Sequence, residues 1–199
     1  AHLTALVLIG GIVALVEFLM GRIWYCKCGY VALWYGDTNG PGNSQHISDW
    51  YTLSHFIHGI IFYGILHVIS KWWGKRKMLR GEVVLPGGHA LSLTTRFAFA
   101  LVIEGAWEIL ENTPFIINRY RSVTLAHDYI GDSILNSVMD VVTAGLGFLF
   151  SRKVSVKLLV ALCIALEILA AYYVRDNLTL NVIMLLYPME AIKTWQMGI

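Results

Sequence analysis

The sequence predicts an all-α fold, a polytopic transmembrane helix bundle, and three observations carry that expectation. Hydrophobic residues make up 57% of the 199 positions, and the mean hydropathy is +0.61. Charged residues reach only 14%, against roughly a quarter in soluble domains. Several apolar segments attain the roughly 20 residues that a helix needs to cross a hydrocarbon core about 30 Å thick. One integral membrane domain covering 1–199 is the expectation at this length.

Each element follows from where apolar runs meet breakers. The first span is about Leu3 to Met20, ending at Arg22; it reads as a span already under way and not as a cleaved signal. A polar and aromatic stretch follows, with the turn-rich run Asp37-Thr-Asn-Gly-Pro-Gly-Asn-Ser44. The second span is about Tyr51 to Ser70, and Lys71, Lys75, Arg76, Lys77 and Arg80 come after it. The third is about Leu91 to Asn112, stopped by Asn112-Thr-Pro114. A polar loop with Arg119, Arg121, His127 and Asp128 leads to the fourth, about Asp132 to Phe150. Arg152, Lys153 and Lys157 then precede the fifth, about Leu158 to Val174. The tail from Asn177 to Trp195 has a short apolar core and Pro188, and reads as a re-entrant or interfacial helix, with a tilted sixth span as the rival.

Cations in short loops set the orientation. The basic loop 71–90 and the 152–157 connection are expected on the cytoplasmic side, with the N-terminus; loop 21–50 then faces the periplasm. Arg119 and Arg121 pull weakly the other way. The setting expected is a bacterial inner membrane, with membrane lipids as surroundings. No basic stripe interleaved with exposed aromatics is present, which excludes nucleic acid as a partner. Three cysteines are too few for a disulfide framework. Cys26 and Cys28 leave disulfide, free thiols and a metal site all open, whereas Cys163 reads as a small core residue.

Charged groups inside spans cost at least about 2.5 kcal/mol each at the helix centre, so those present point into the bundle. Ser54, His55 and His58 lie within one turn of the second span. Glu104, Glu108 and Glu111 share one face of the third, and Asp132, Asn136 and Asp140 one face of the fourth. Arg175, Asp176 and Asn177 end the fifth. With a rise of about 1.5 Å per residue, all of these fall within roughly 12 Å of one membrane face. Four helices therefore offer polar groups at one level.

Such a set permits definite chemistry. His55, His58 and Glu111 are candidate metal ligands, and the donors suit a divalent ion such as zinc, iron or manganese. Glu104, Glu108, Asp132 and Asp140 are candidate catalytic groups, since crowded carboxylates repel and one becomes a usable acid. Asn112, Asn136, Arg175 and Asp176 are candidate substrate-binding residues. The plainer reading is that buried His and Glu hydrogen-bond neighbouring helices and fix their packing, and that Arg175 and Asp176 form an interfacial ion pair. Glu17, Glu167, Glu190, His2, His67 and His89 receive no role, Asp49 is read as a helix cap, and His46 is left open. Trp50, Trp72, Trp73 and Trp195 read as interfacial anchors.

The string Asn43-Ser-Gln-His-Ile-Ser-Asp-Trp-Tyr-Thr-Leu-Ser-His-Phe-Ile-His-Gly59 is similar to the signature of a bacterial inner-membrane family of unknown function. So are Trp107-Glu-Ile-Leu-Glu-Asn-Thr113, Asn118-Arg-Tyr-Arg121, Gly131-Asp-Ser-Ile-Leu-Asn-Ser137, Arg175-Asp-Asn-Leu-Thr-Leu-Asn181 and Cys26-Lys-Cys-Gly29. That likeness spans nearly the whole chain and names no activity. A more distant one is to VanZ-like membrane proteins, which are linked to the cell envelope and glycopeptide resistance. Asp49 with His55 or His58, Glu104 or Glu108, and Asp132 with Asn136 before Gly145 and Gly147 resemble their three polar helices. The chain departs from that pattern at Trp107-Glu108, where a Glu-x-x-Gln type is usual, and in its C-terminal tail.

Three functions compete. The leading one is a membrane-embedded hydrolase or transferase acting on a lipid or envelope substrate from the periplasmic face. The second is an accessory subunit of a larger membrane complex, which the aromatic loop with Trp24, Tyr25, Trp34 and Tyr35 suits. A proton- or ion-coupled transporter ranks third, since no inverted repeat and no acidic path beyond the cluster is visible.

Overall fold

A computed structural model describes residues 1–124 and 129–198. Expected loop residues His127 and Asp128 lie outside these. The described residues form helices joined by loops, with no strand longer than an isolated bridge. In order the helices are α1 (His2–Leu19), α2 (Thr52–Leu79), α3 (Leu93–Glu111), α4 (Pro114–Val123), α5 (Ile134–Ser151), α6 (Val156–Val174), α7 (Leu178–Leu186) and α8 (Glu190–Met197). Four of them, α1, α2, α5 and α6, are long and apolar enough to cross a membrane. Although α3 is as long, it carries Arg96, Glu104, Glu108 and Glu111, and the first three of these are buried inside the bundle.

Local chemistry explains the starts. Ser92, Thr113, Ser133, Ser155 and Asn177 each accept the backbone N–H three residues on, satisfying a donor that the first turn would leave bare. Pro114 sits at the start of α4, where its missing N–H costs nothing. The next free donors of α5, on Ile134 and Leu135, are taken by the carbonyls of Ile23 and Trp24. Loop 21–50 is thereby tied to the start of α5.

Three segments differ from the sequence reading. The stretch expected to open a basic loop at Lys71 continues α2 to Leu79: Gly74 is held within the helix against the Gly88 carbonyl, Arg76 packs over the Trp72 ring at 3.9 Å, and the helix stops just before the left-handed Gly81. The polar segment after Pro114 contains α4. The tail makes two short helices, broken at Tyr187 and Pro188, and neither, at 9 and 8 residues, is long enough to cross.

The core lies where α1, α2, α3 and α5 meet, around Val13, Leu66, Phe97, Leu101, Val141 and Phe148. Helices α2 and α5 approach most closely through glycine. A Cβ on Gly59 would overlap the Ala144 carbonyl, and one on Gly147 the Phe56 carbonyl. The outer faces of α1 and α6 are aliphatic and exposed; in α6 only Leu159 and Ala170 are buried. At its end Tyr173 stacks on Trp50, and Glu167 accepts the N–H groups of Leu178 and Thr179, starting α7.

Candidate functional site

The close approach of α2 to α5, with α3 alongside, sets His55 and His58 facing two other helices. His55 Nδ1 lies 2.6 Å from Glu104 Oε1 and 3.1 Å from Glu108 Oε1. Its Nε2 is 3.8 Å from Asp140 Oδ2. His58 Nδ1 is 3.1 Å from the other Glu104 oxygen. Glu104 and Glu108 are wholly inaccessible to solvent, and His55 and Asp140 are buried.

Hydrogen bonds do not exhaust this cluster. Both Glu108 oxygens and Asp140 Oδ1 are buried without a hydrogen-bond partner; His55 Nδ1 is within ion-pair reach of Glu108 at 3.1 Å but lies closer, at 2.6 Å, to Glu104. Glu111 joins His55 and Glu108 in one group whose ligand atoms lie within 4.8 Å of one another, and His55, His58 and Glu104 form another. Four carboxylates thus surround two imidazoles. Even with both rings cationic, two negative charges would remain buried unless a proton or metal ion neutralised them.

The cluster opens into a cavity of about 130 Å³ bordered by His55, Glu111, Asp132, Asn136, Asp140 and Arg175, among others. That is room for several waters or one small polar group. Asp132 accepts the Tyr129 hydroxyl at 2.9 Å, and Asn136 donates to the His46 carbonyl at 3.0 Å. Asp176 lines the cavity too, accepting from Tyr51, Asn181 and Gln196 at 3.0–3.1 Å. Arg175 donates to the Trp195 carbonyl and not to Asp176, so the expected ion pair does not form. It ends α6 in the left-handed region at φ 54°.

Glu104, Glu108 and His58 belong to the cluster without bordering the cavity, and one candidate stands outside both. Asn112 does not border the cavity; its amide lies among Glu17, Asp132, Ser137 and the Glu108 carbonyl, all at 3.1–3.3 Å, and its oxygen accepts the Asp132 N–H at 2.7 Å. It knots α1, α3 and α5 together. Glu17, without a role in the sequence reading, is wholly buried in this knot, and its Oε2 has no hydrogen-bond partner. A lone acid in an apolar span was the signal; its partners lie far away in sequence. Tyr51, Tyr120 and Tyr129 border the cavity without any sequence signal.

Loop 21–50 roofs the site. Asp49 accepts the N–H groups of Ser44, Tyr51 and Thr52 at 2.8–3.3 Å, capping the start of α2 as expected. Burial, then the negative charge of Asp132, push its carboxyl up to about 6, against those three donors. Burial likewise raises Asp176 to about 6. His46 is packed between Tyr30 and Tyr35, ring centroids 5.0 and 4.9 Å away, and accepts the Ala32 N–H at Nδ1. Cys26 and Cys28 form a disulfide, with Cys28 Sγ 4.0 Å from His46 Nε2.

Helices able to cross a membrane, closed around a buried His–carboxylate cluster, define the class. Residues 17–198 match the family model described as Protein of unknown function (DUF2585), and the chain belongs to that family. It is 53% identical to a UPF0314 protein of Rhizobium johnstonii over 92% of this chain and 85% of the relative. A UPF0314 protein of Rhizobium meliloti is 50% identical over 93% and 85%. One of Novosphingobium aromaticivorans is 43% identical over 96% and 89%. No solved structure matches.

Proposed function

We propose that this chain is a membrane-embedded hydrolase or group transferase of the bacterial inner membrane, built on a divalent-metal site at His55, His58, Glu104 and Glu108. The observation that carries this reading is the set of buried carboxylate oxygens on Glu108 and Asp140 that lack hydrogen-bond partners beside two histidines. Buried charge of one sign calls for a counter-charge, and imidazole with carboxylate is the donor set of zinc, iron or manganese. A bound ion would supply Lewis acidity and an activated water. Glu111 and Asp132, at the cavity wall, would exchange protons with a reacting group, while Asn136, Arg175 and Asp176 orient it. The cavity has room for a polar head alone, so a lipid or lipid-linked substrate would leave its tail in the bilayer. Cation placement in the sequence supports an opening on the periplasmic side. The likeness to VanZ-like proteins supports the same three helices as the site.

The test is metal content, by mass spectrometry, of protein purified gently in detergent, beside a His55→Ala/His58→Ala variant. Near-stoichiometric metal that the variant loses is the expected result. Metal-free protein in both would discard metal catalysis and leave an acid–base site.

A second reading, an accessory subunit, draws on Trp24, Tyr25, Leu33 and Trp34, exposed together on loop 21–50. It predicts co-purification with a partner at fixed stoichiometry in mild detergent; a stable isolated monomer argues against it.

A further inference from the structure

A second cavity, of about 440 Å³, lies at the other end of the bundle, where α2 runs on beyond His67 and α3 begins. Tyr63, His67, His89, Ser92, Arg96 and Arg152 line it with a few aliphatic residues, and among the described residues no aspartate or glutamate does. Arg96 is 6% exposed, and its Nε is buried without a hydrogen-bond partner. Among the described residues its Nη1 reaches His67 Nδ1 alone, at 3.4 Å, which is no counter-charge. Glu82, the acid of the connecting loop, pairs with Arg80 at 3.0 Å instead. A guanidinium stays charged at any ordinary pH, and a buried charge without a partner costs several kcal/mol.

The surroundings reinforce the sign. The first turn of α3 contributes the positive end of its dipole beside Arg96. Burial, and then the nearby Arg96, His67 and Lys71, hold His89 below the ordinary histidine range. Leu85 and His89 are bridged, and Ser70 accepts the Leu91 N–H at 3.0 Å, so the loop wall is held in place.

We propose that this cavity binds a phosphate-bearing anion, held by Arg96 with His67, His89 and Arg152. A guanidinium fork matches phosphate oxygens two at a time, and a helix start adds donors of the same sign. The phosphate would come either from a phospholipid headgroup or from a soluble anion. This site is separate from the His–carboxylate cluster, and neither proposal requires the other.

The experiment titrates the full-length, delipidated protein in neutral detergent and follows its thermal melting. Inorganic phosphate is compared with sodium chloride at matched ionic strength, and mixed micelles containing phosphatidic acid with micelles of the neutral detergent alone. Saturable stabilisation by inorganic phosphate marks a soluble anion; stabilisation by phosphatidic acid alone marks a headgroup. In either case Arg96→Gln should weaken binding on the order of tenfold or more, as expected for a lost charged hydrogen bond. Arg152→Gln, at an exposed helix end, should weaken it less and serves if Arg96→Gln does not fold. No saturable shift with either probe, or a shift undiminished in the variants, overturns the proposal.

Discussion

Glu104 holds two histidines at once: Oε1 stands 2.6 Å from His55 Nδ1, and Oε2 stands 3.1 Å from His58 Nδ1. One carboxylate from α3 thereby sets the orientation of two imidazoles one turn apart on α2. Glu104→Ala would leave the buried His55 ring and the half-buried His58 ring without this acceptor. A loss of about 3–5 kcal/mol is expected, the cost of breaking a buried pair from one side. Thermal unfolding in detergent measures it, and Glu104→Gln, which keeps the volume and one acceptor, should cost less.

Glu108 makes no hydrogen bond through its side-chain oxygens. If it ligates a metal ion, Glu108→Gln should lower metal affinity by more than the roughly 10–100-fold typical of partners outside the coordination sphere. Chelator treatment should then lower the melting temperature of the wild type but not of the variant. Equal sensitivity of the two would remove Glu108 from the ligand set.

Asn112 has four acceptors within 3.3 Å of its amide nitrogen but only two hydrogens to give. These contacts join α1, α3 and α5. Asn112→Leu should destabilise by about 1–3 kcal/mol through the polar groups it leaves bare, while the folded fraction retains its metal content. Metal loss at undiminished stability would instead make Asn112 part of the binding machinery.

Gly59 and Gly147 permit the crossing that brings His55 towards Asp140. A side chain at either position meets backbone, which cannot rotate away. Gly147→Val should cost more than the roughly 1–3 kcal/mol of ordinary overpacking. Gly64, which has open space around it, is the control: Gly64→Ala should leave the melting temperature unchanged or raise it.

Asp49 sets a pH dependence. Its carboxyl titrates near 6 when folded and near 3.8 otherwise, so between these values the native state holds a proton that the unfolded chain has released. Stability therefore falls as pH rises through that window, by up to about 3 kcal/mol for a shift of about two units. Melting temperatures from pH 4 to 7 should decline in the wild type and decline less steeply in Asp49→Asn. Asp176, raised to about 6 likewise, adds to the same slope.

Local pattern made the helices legible. Apolar run length marked α1, α2, α3, α5 and α6, because their exposed and core-facing positions alike carry apolar side chains. The convergence of His55, His58, Glu104, Glu108 and Asp140 was also legible, since helical rise converts residue number into depth. The continuation of α2 past Lys71 was not, because a cationic run suits either a loop or a helix end. Nor was the splitting of the tail into α7 and α8.

The sequence by itself determined which residues are costly to bury and which of them share a level along their helices. Only the tertiary structure decided how they pair: that Glu104 takes both histidines, that Glu17 and Asn112 join one knot of hydrogen bonds, that Arg175 turns towards Trp195, and that Arg96 faces a cavity with no acid among its described lining residues. The reason is physical. Depth and helical face follow from local geometry along one chain segment, whereas partnership depends on the rotation and crossing of helices. That crossing is set by where glycine lets two backbones touch, at Gly59 and Gly147.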